Sequence, residues 1–254
     1  MPRSQSRLRA ALSFSAYAET MSRRPILIRD PRAVPILGAD HHLPALSGER
    51  LTPAQLKARF AAPPAWQPEF RGDGGGPLAD RAPTAAAVLV PLVARQDGLR
   101  VLLTRRTDHL RDHAGQISFP GGRVDPGEVD PVETALREAR EEIGLDARHI
   151  EVIGSLPVYT TVTSYTVTPV VALVHPPFAL EIEGGEVAEA FEVPLDFLMA
   201  PAHHQVHVFE AADEQRRFLS MPWQGHSAQG EPREYFIWGA TAAMLRNLYR
   251  FLAA

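Results

Sequence analysis

The chain has 254 residues, 45% hydrophobic and 22% charged, with a formal charge of −4 and no cysteine. Such a chain can bury a core of its own and most simply forms one main domain with extensions. The acidic balance leaves no basic footprint for nucleic acid, no run of about 18 apolar residues is present to cross a membrane, and the lack of cysteine excludes disulfides and thiolate metal sites, in keeping with a reducing cytoplasm.

Residues 1–24 are rich in Arg and Ser, and the stretch 10–18 (AALSFSAYA) ends in a small-x-small triplet. That apolar run is short and diluted by serines, so it reads as an untidy N-terminus rather than a removed signal, with Met21 as an alternative start. Residues 25–50 carry scattered prolines and no sustained period, so 1–50 is expected to be a poorly structured arm. Thr52 before Pro53 caps a short helix with Leu56 and Phe60 on its apolar side. The rest of 51–84 is a Pro/Gly-rich connector. Its Gly74, Gly75 and Gly76 resemble a phosphate loop only superficially, since no Lys-Ser or Lys-Thr follows.

The main domain is expected over 85–254. The apolar runs 85–94 and 99–103 flank Asp97-Gly98 and predict a hairpin. A short strand at 116–119 leads into a glycine turn, and strands follow at 151–161 and 165–175. A short helix at 194–199, a strand at 235–238 and a helix over 240–252 complete the pattern. Strands surrounding two helices predict an α/β fold with a mixed sheet covered on both faces.

The most informative stretch is 119–145, FPGGRVDPGEVDPVETALREAREEIGL. Val132, Ala135, Leu136, Ala139 and Ile143 recur at helical spacing; Asp130 stands at the N-cap, Pro131 at the first turn, Glu133 where a capping box has its acid, and Gly144 at the stop. The opposite face carries Glu138, Glu141 and Glu142 at i, i+3 and i+4, like charges that destabilise a bare helix. Three hard oxygen donors on one rigid element suit Mg²⁺ or Mn²⁺, although Arg137 and Arg140 could instead neutralise them on a solvated face.

In its order of glycine pair, acidic loop, Arg-Glu and Glu-Glu-x-Gly, this stretch resembles the box of the Nudix hydrolases. Gly122, Glu128, Arg137, Glu138, Ala139, Glu141, Glu142, Gly144 and Leu145 match that pattern, with eight rather than seven residues between Glu128 and Arg137. The extra residue is placed before the helix, near 129–131, because an insertion within the helix would rotate the acidic face by ~100°. Upstream, 102–122 (LLTRRTDHLRDHAGQISFPGG) is similar to the signature of the coenzyme A pyrophosphatase subfamily at Leu102, Leu103, Thr104, Arg106, Arg111, Gly115, Phe119, Pro120, Gly121 and Gly122; Thr107 departs from its usual Ser or Ala.

The resemblance implies a Nudix α/β/α sandwich with an N-terminal extension, a divalent metal on Glu138, Glu141 and Glu142, and an Arg137–Glu128 pair that orients the helix. It implies hydrolysis of coenzyme A or acyl-CoA to 3′,5′-ADP and (acyl-)4′-phosphopantetheine. Arg105, Arg106 and Arg111, with His109 and His113, concentrate positive charge beside the helix, and Gly115, Gly121 and Gly122 complete the expected substrate site. The implied partner is a small nucleotide in the cytoplasm, with neither nucleic acid nor membrane, and a homodimer is compatible with it. Two alternatives stand: a Nudix hydrolase for ADP-ribose or a dinucleotide, and a non-catalytic nucleotide sensor. His203, His204 and His207 lack a ligand partner at zinc spacing and are expected on an exposed loop or edge strand. Glu186, Glu189 and Glu192 are expected to cap or solvate the turn at Pro194 rather than to reach the metal.

Overall fold

The structure, a computed structural model, describes residues 28, 30–73, 82–109, 115–182, 185–211 and 214–254; the expectations for 1–27 and for the glycines at 74–76 lie outside the described residues. At its centre, β2 (Thr84–Arg95) and β8 (Tyr165–Val174) run parallel, residue 84 against 165 through 93 against 174. Both are near-continuous apolar runs because both faces of this pair are covered. On the outer side of β2, β5 (Gly121–Arg123) pairs with residues 86–88 and β3 (Gly98–Arg106) with 92–95. Pro91 falls in the gap between them. Its missing N–H points the same way as that of Leu89, which donates to Pro120 beyond β5, so no ladder bond is lost toward β8. β3 carries β4 (Ile117–Ser118) and β9 (Val187–Pro194), while β8 carries β6 (Ile150–Ser155) and β7 (Tyr159–Thr160).

Helix α1 (Pro53–Ala61) has Thr52 as its cap and Leu56 buried. Helix α2 (Pro131–Ile143) covers one face of the mixed sheet, with Ala135, Ala139 and Ile143 against Ala87, Leu89, Val93 and Leu102. After the short α3 (Leu195–Leu198), α4 (Gly239–Ala253) shares the core of the other face with Val90, Leu92, Val101 and Leu103. Each Val, Leu or Ile among these, taken fully out of water, stabilises the fold by roughly 1.5–3 kcal/mol. The result is the α/β sandwich expected from the residues.

A second, antiparallel sheet has the order β1 (Ile36–Ala39), β10 (Gln205–Ala211), β11 (Glu214–His226), β12 (Pro232–Trp238). It corrects three expectations. Part of the presumed arm is β1, paired with β10 and flanked by a 3-10 turn capped by Asp30. The histidines are not on an exposed loop: His204 and His207 are buried, and only His203 is exposed, stacked on Phe197 at 4.2 Å. His207 bonds the Val34 carbonyl and Ser220; His204 Nδ1 accepts from Arg246 at 2.9 Å and Nε2 donates to the Leu198 carbonyl at 2.8 Å. Finally, Met244, Leu245, Leu248 and Leu252 at helical spacing were expected to form one apolar side of α4, whereas the helix is buried nearly all round, with Arg246 itself 1% exposed and paired with Asp40 and Glu69, each at 2.8 Å.

Candidate active site

The start and stop of α2 fix where its acids stand. Asp130 accepts from the Val132 N–H at 2.9 Å, Pro131 needs no partner, and Gly144 ends the helix at φ 67°. The capping box is incomplete, since the Glu133 side chain is exposed and the Asp130 carboxylate alone does the capping. The helix is unbroken from 131, so the extra residue lies in the loop, where Val129 is 91% exposed.

Arg137 fastens this loop to the helix. Its Nε donates to Glu128 Oε1 at 2.8 Å, Nη2 to the Arg123 carbonyl at 3.0 Å, and Nη1 to both Glu138 Oε1 and Glu141 Oε2 at 2.9 Å. Glu128 also accepts from the Thr134 hydroxyl at 2.6 Å and the Asp125 N–H at 2.9 Å. Arg137 first, then these two donors, hold its carboxyl at about 2.

Glu138 and Glu142 face β5. The Gly121 N–H reaches Glu142 Oε2 at 3.3 Å, and the Glu138 carboxylate occupies the space that a Cβ on Gly122 would fill. The two glycines were expected as a turn; they are instead the start of a strand against β2, and a Cβ on Gly121 would lie 2.6 Å from the Val88 Cα. Burial pushes Glu142 up to about 7, with the Glu138 charge adding to it, and burial also raises Glu138. Glu141 is the most open of the three, its side chain 58% exposed.

Among the described residues no group of three or more His, Cys, Asp or Glu side chains stands close enough together to hold a metal ion, but Glu138 and Glu142 have the chemistry that a hard divalent cation takes. The donors are all oxygen, the Gly122 hollow leaves Glu138 room, and two carboxylates with raised affinity for a proton sit close together, a charge deficit that a cation relieves. The Arg137 bonds to Glu138 and Glu141 bear on the same need for positive charge.

Beside the ridge opens a cavity of about 1470 Å³ lined by Arg105, Arg106, Arg123, Arg216, Arg217 and Arg233, with Gly115 at its edge. The three glutamates do not line it. Arg106 joins the two places: it is on the cavity wall, pairs with Glu186 at 3.2 Å, and its charge bears on Glu142. Arg111 and His113 lie outside the described residues.

Sequence reasoning missed four of these arginines. Arg123 follows the glycine pair directly and could have been included. Arg216, Arg217 and Arg233 carry no local signal, because the second sheet brings them here. Glu186, Glu189 and Glu192 do not serve the Pro194 turn as expected: Glu192 pairs with Arg95, Glu186 with Arg106, and Glu189 is buried in β9.

The Nudix domain model matches residues 83–219, more than half of the chain, which therefore belongs to the Nudix family and is a Nudix hydrolase. A protein of Escherichia fergusonii described as an uncharacterised Nudix hydrolase, NudL, is 43% identical over 165 residues, covering 64% of this chain and 80% of that one. The NudL protein of Escherichia coli K12 is 42% identical over the same length and shares of the two chains. Among solved structures, the Nudix hydrolase RenU of M. smegmatis is similar over 48% of this chain and 78% of its own, at 24% identity and a TM-score of 0.40.

Proposed function

We propose that the protein hydrolyses the diphosphate of coenzyme A or acyl-CoA, giving 3′,5′-ADP and (acyl-)4′-phosphopantetheine, in the cytoplasm. The observation that carries this reading is an arginine-lined cavity beside an acidic helix in a chain of net charge −4. Its volume exceeds the ~300–1,000 Å³ of sites for drug-sized ligands, and coenzyme A is a long ligand with three phosphates. The upstream signature at 102–122 points to the same substrate.

Glu138 and Glu142 are the proposed ligands of Mg²⁺ or Mn²⁺, with Glu141 as third ligand or base. Such a cation, when bound, polarises the diphosphate and lowers the pKa of a bound water. Arg137 keeps the ridge in position through its bonds to Glu128, Glu138 and Glu141. Arg105 and Arg106 offer guanidinium groups to phosphate oxygens, with Arg111 proposed from its place in the signature. Gly122 lets Glu138 approach the backbone of β5 closely, Gly121 lets β5 lie close against β2, and Gly115 turns the chain at φ 65° in the cavity wall; the substrate contact of Gly121 and Gly122 is proposed from their place in the signature.

A panel of coenzyme A, acyl-CoA, ADP-ribose and a dinucleoside polyphosphate, each assayed with Mg²⁺ and with Mn²⁺, tests the reading. Preferred turnover of coenzyme A is expected. Preference for ADP-ribose or the dinucleotide would replace the substrate, and tight binding without turnover of any of them would make the protein a sensor.

A further inference from the structure

Glu189 stands where the alternation of β9 places apolar side chains. Val187, Phe191 and Val193 on the same side of the strand are buried, and Glu189 is only 5% exposed. A carboxylate taken out of water needs charged or hydrogen-bonded partners. One stands directly across the ladder: Arg105 of β3 pairs in register with Glu189, its Nε 3.7 Å from Oε2. The others belong to the second sheet and its last hairpin. Arg233 Nη1 donates at 2.6 Å, the Tyr235 hydroxyl at 2.7 Å and the Ala228 N–H at 3.1 Å.

One buried acid thus holds two arginines of different sheets, and both line the large cavity. Among the described residues Arg105 Nη1 donates to Asp108 at 2.8 Å, and its buried Nε is held beside Glu189 without a hydrogen bond. Arg106 follows across a β-bulge; it lines the same cavity and also pairs with Glu186, its charge bearing on Glu142 of the ridge. A diphosphate at the ridge accounts for Arg106; it does not account for a second pair of guanidinium groups braced on a buried acid.

We infer that Arg105 and Arg233, aligned by Glu189, form a subsite for a phosphomonoester of the substrate that is not cleaved, with Glu189 as a positioning residue. Naming the 3′-phosphate of coenzyme A as the occupant rests on the function proposed above. Two guanidinium forks suit a dianionic phosphate better than a sugar or an uncharged arm. Arg233 lies beyond the region matched by the Nudix model, so half of this subsite belongs to the chain's additional sheet.

Titration calorimetry of the full-length protein with 3′,5′-ADP and with 5′-AMP, without added metal, tests the subsite apart from catalysis. The wild type is expected to bind 3′,5′-ADP about tenfold more tightly, the size of one charge-assisted contact. Arg233→Gln should lose that preference, whereas Arg233→Lys, which keeps the charge, should retain part of it. Glu189→Gln should lower the ratio of kcat/KM for coenzyme A over its 3′-dephospho form by about tenfold, mainly through KM. Equal affinity of the wild type for the two nucleotides overturns the subsite even if a variant fails to fold. So does an Arg233 variant that weakens both nucleotides alike. Turnover of coenzyme A without this discrimination overturns the subsite alone; discrimination without such turnover supports the subsite and overturns the proposed reaction.

Discussion

At Gly122 the absent side chain leaves space for a carboxylate, and at Gly121 it leaves space for backbone. A Cβ on Gly122 would meet the end of the Glu138 side chain, which can swing aside, while a Cβ on Gly121 would meet the Ala87 carbonyl and the Val88 Cα of β2, which cannot. Gly122→Ala is therefore expected to keep the fold, with a melting temperature near wild type, and to lose on the order of 100-fold in kcat, because a displaced ligand of about 1 Å has that effect. Gly121→Ala is expected to lower the melting temperature as well. Thermal unfolding beside a kinetic assay separates the two, and full activity in Gly122→Ala would remove Glu138 from the site. Glu142 belongs to the same scale: a half-buried acid with no ion pair among the described residues, next to another acid, is poorly placed for stability, which is why its position calls for a ligand.

At the scale of elements, α2 is held at its start by one side chain. Asp130→Ala should cost about 1 kcal/mol of stability, read by denaturant unfolding, since it leaves the Val132 N–H unsatisfied; an unchanged midpoint would mean that the loop and Arg137 alone set the helix start. This helix and its acids could be read directly from residues 119–145 because cap, stripe and stop are all local. The strands β2 and β8 were readable for the same reason, as local runs of strand-forming residues, but their parallel pairing across some 80 residues was not. β9 was not, although VAEAFEVP alternates: Glu189 takes a core-side position, so its polarity argues against the strand that contains it. At His203, His204 and His207 an exposed loop or edge strand was expected; β10 is instead an inner strand, and His204 and His207 are buried because their ring nitrogens are satisfied by Leu198, Arg246, Val34 and Ser220. The far wall of the cavity shares that fate, since Arg216 and Arg233 gain meaning only once two sheets meet.

At the scale of the whole molecule, Arg246 joins the C-terminal helix to segments that precede the Nudix match. Its guanidinium bonds Asp40, Glu69 and His204, and Asn247 beside it exchanges two hydrogen bonds with the Phe70 backbone. Arg246→Met leaves two acids without their buried partner and should cost about 3–5 kcal/mol, roughly 10 °C in melting temperature for a chain of this size; an unchanged melting temperature would show that residues 40 and 69 are held by other contacts. Burial, with the Arg246 charge adding to it, presses His204 down to about 4. The unfolded chain takes up this proton near 6.5 and the folded chain only near 4, so stability is full above pH 6.5 and falls as pH drops toward 4, by up to roughly 3 kcal/mol. Unfolding measured from pH 4 to 7 should show this slope, and His204→Gln should flatten it; an equal slope in the variant would assign the loss to other groups.

The account depends on the acids of α2 and the arginine-lined cavity forming one site. The most direct measurement is release of 3′,5′-ADP from coenzyme A by wild type and by Glu142→Gln, each with and without Mg²⁺ or Mn²⁺. We predict metal-dependent release by the wild type and none by the variant, with both proteins equally folded by circular dichroism. Release at the wild-type rate from Glu142→Gln, or release indifferent to the metal, would contradict it.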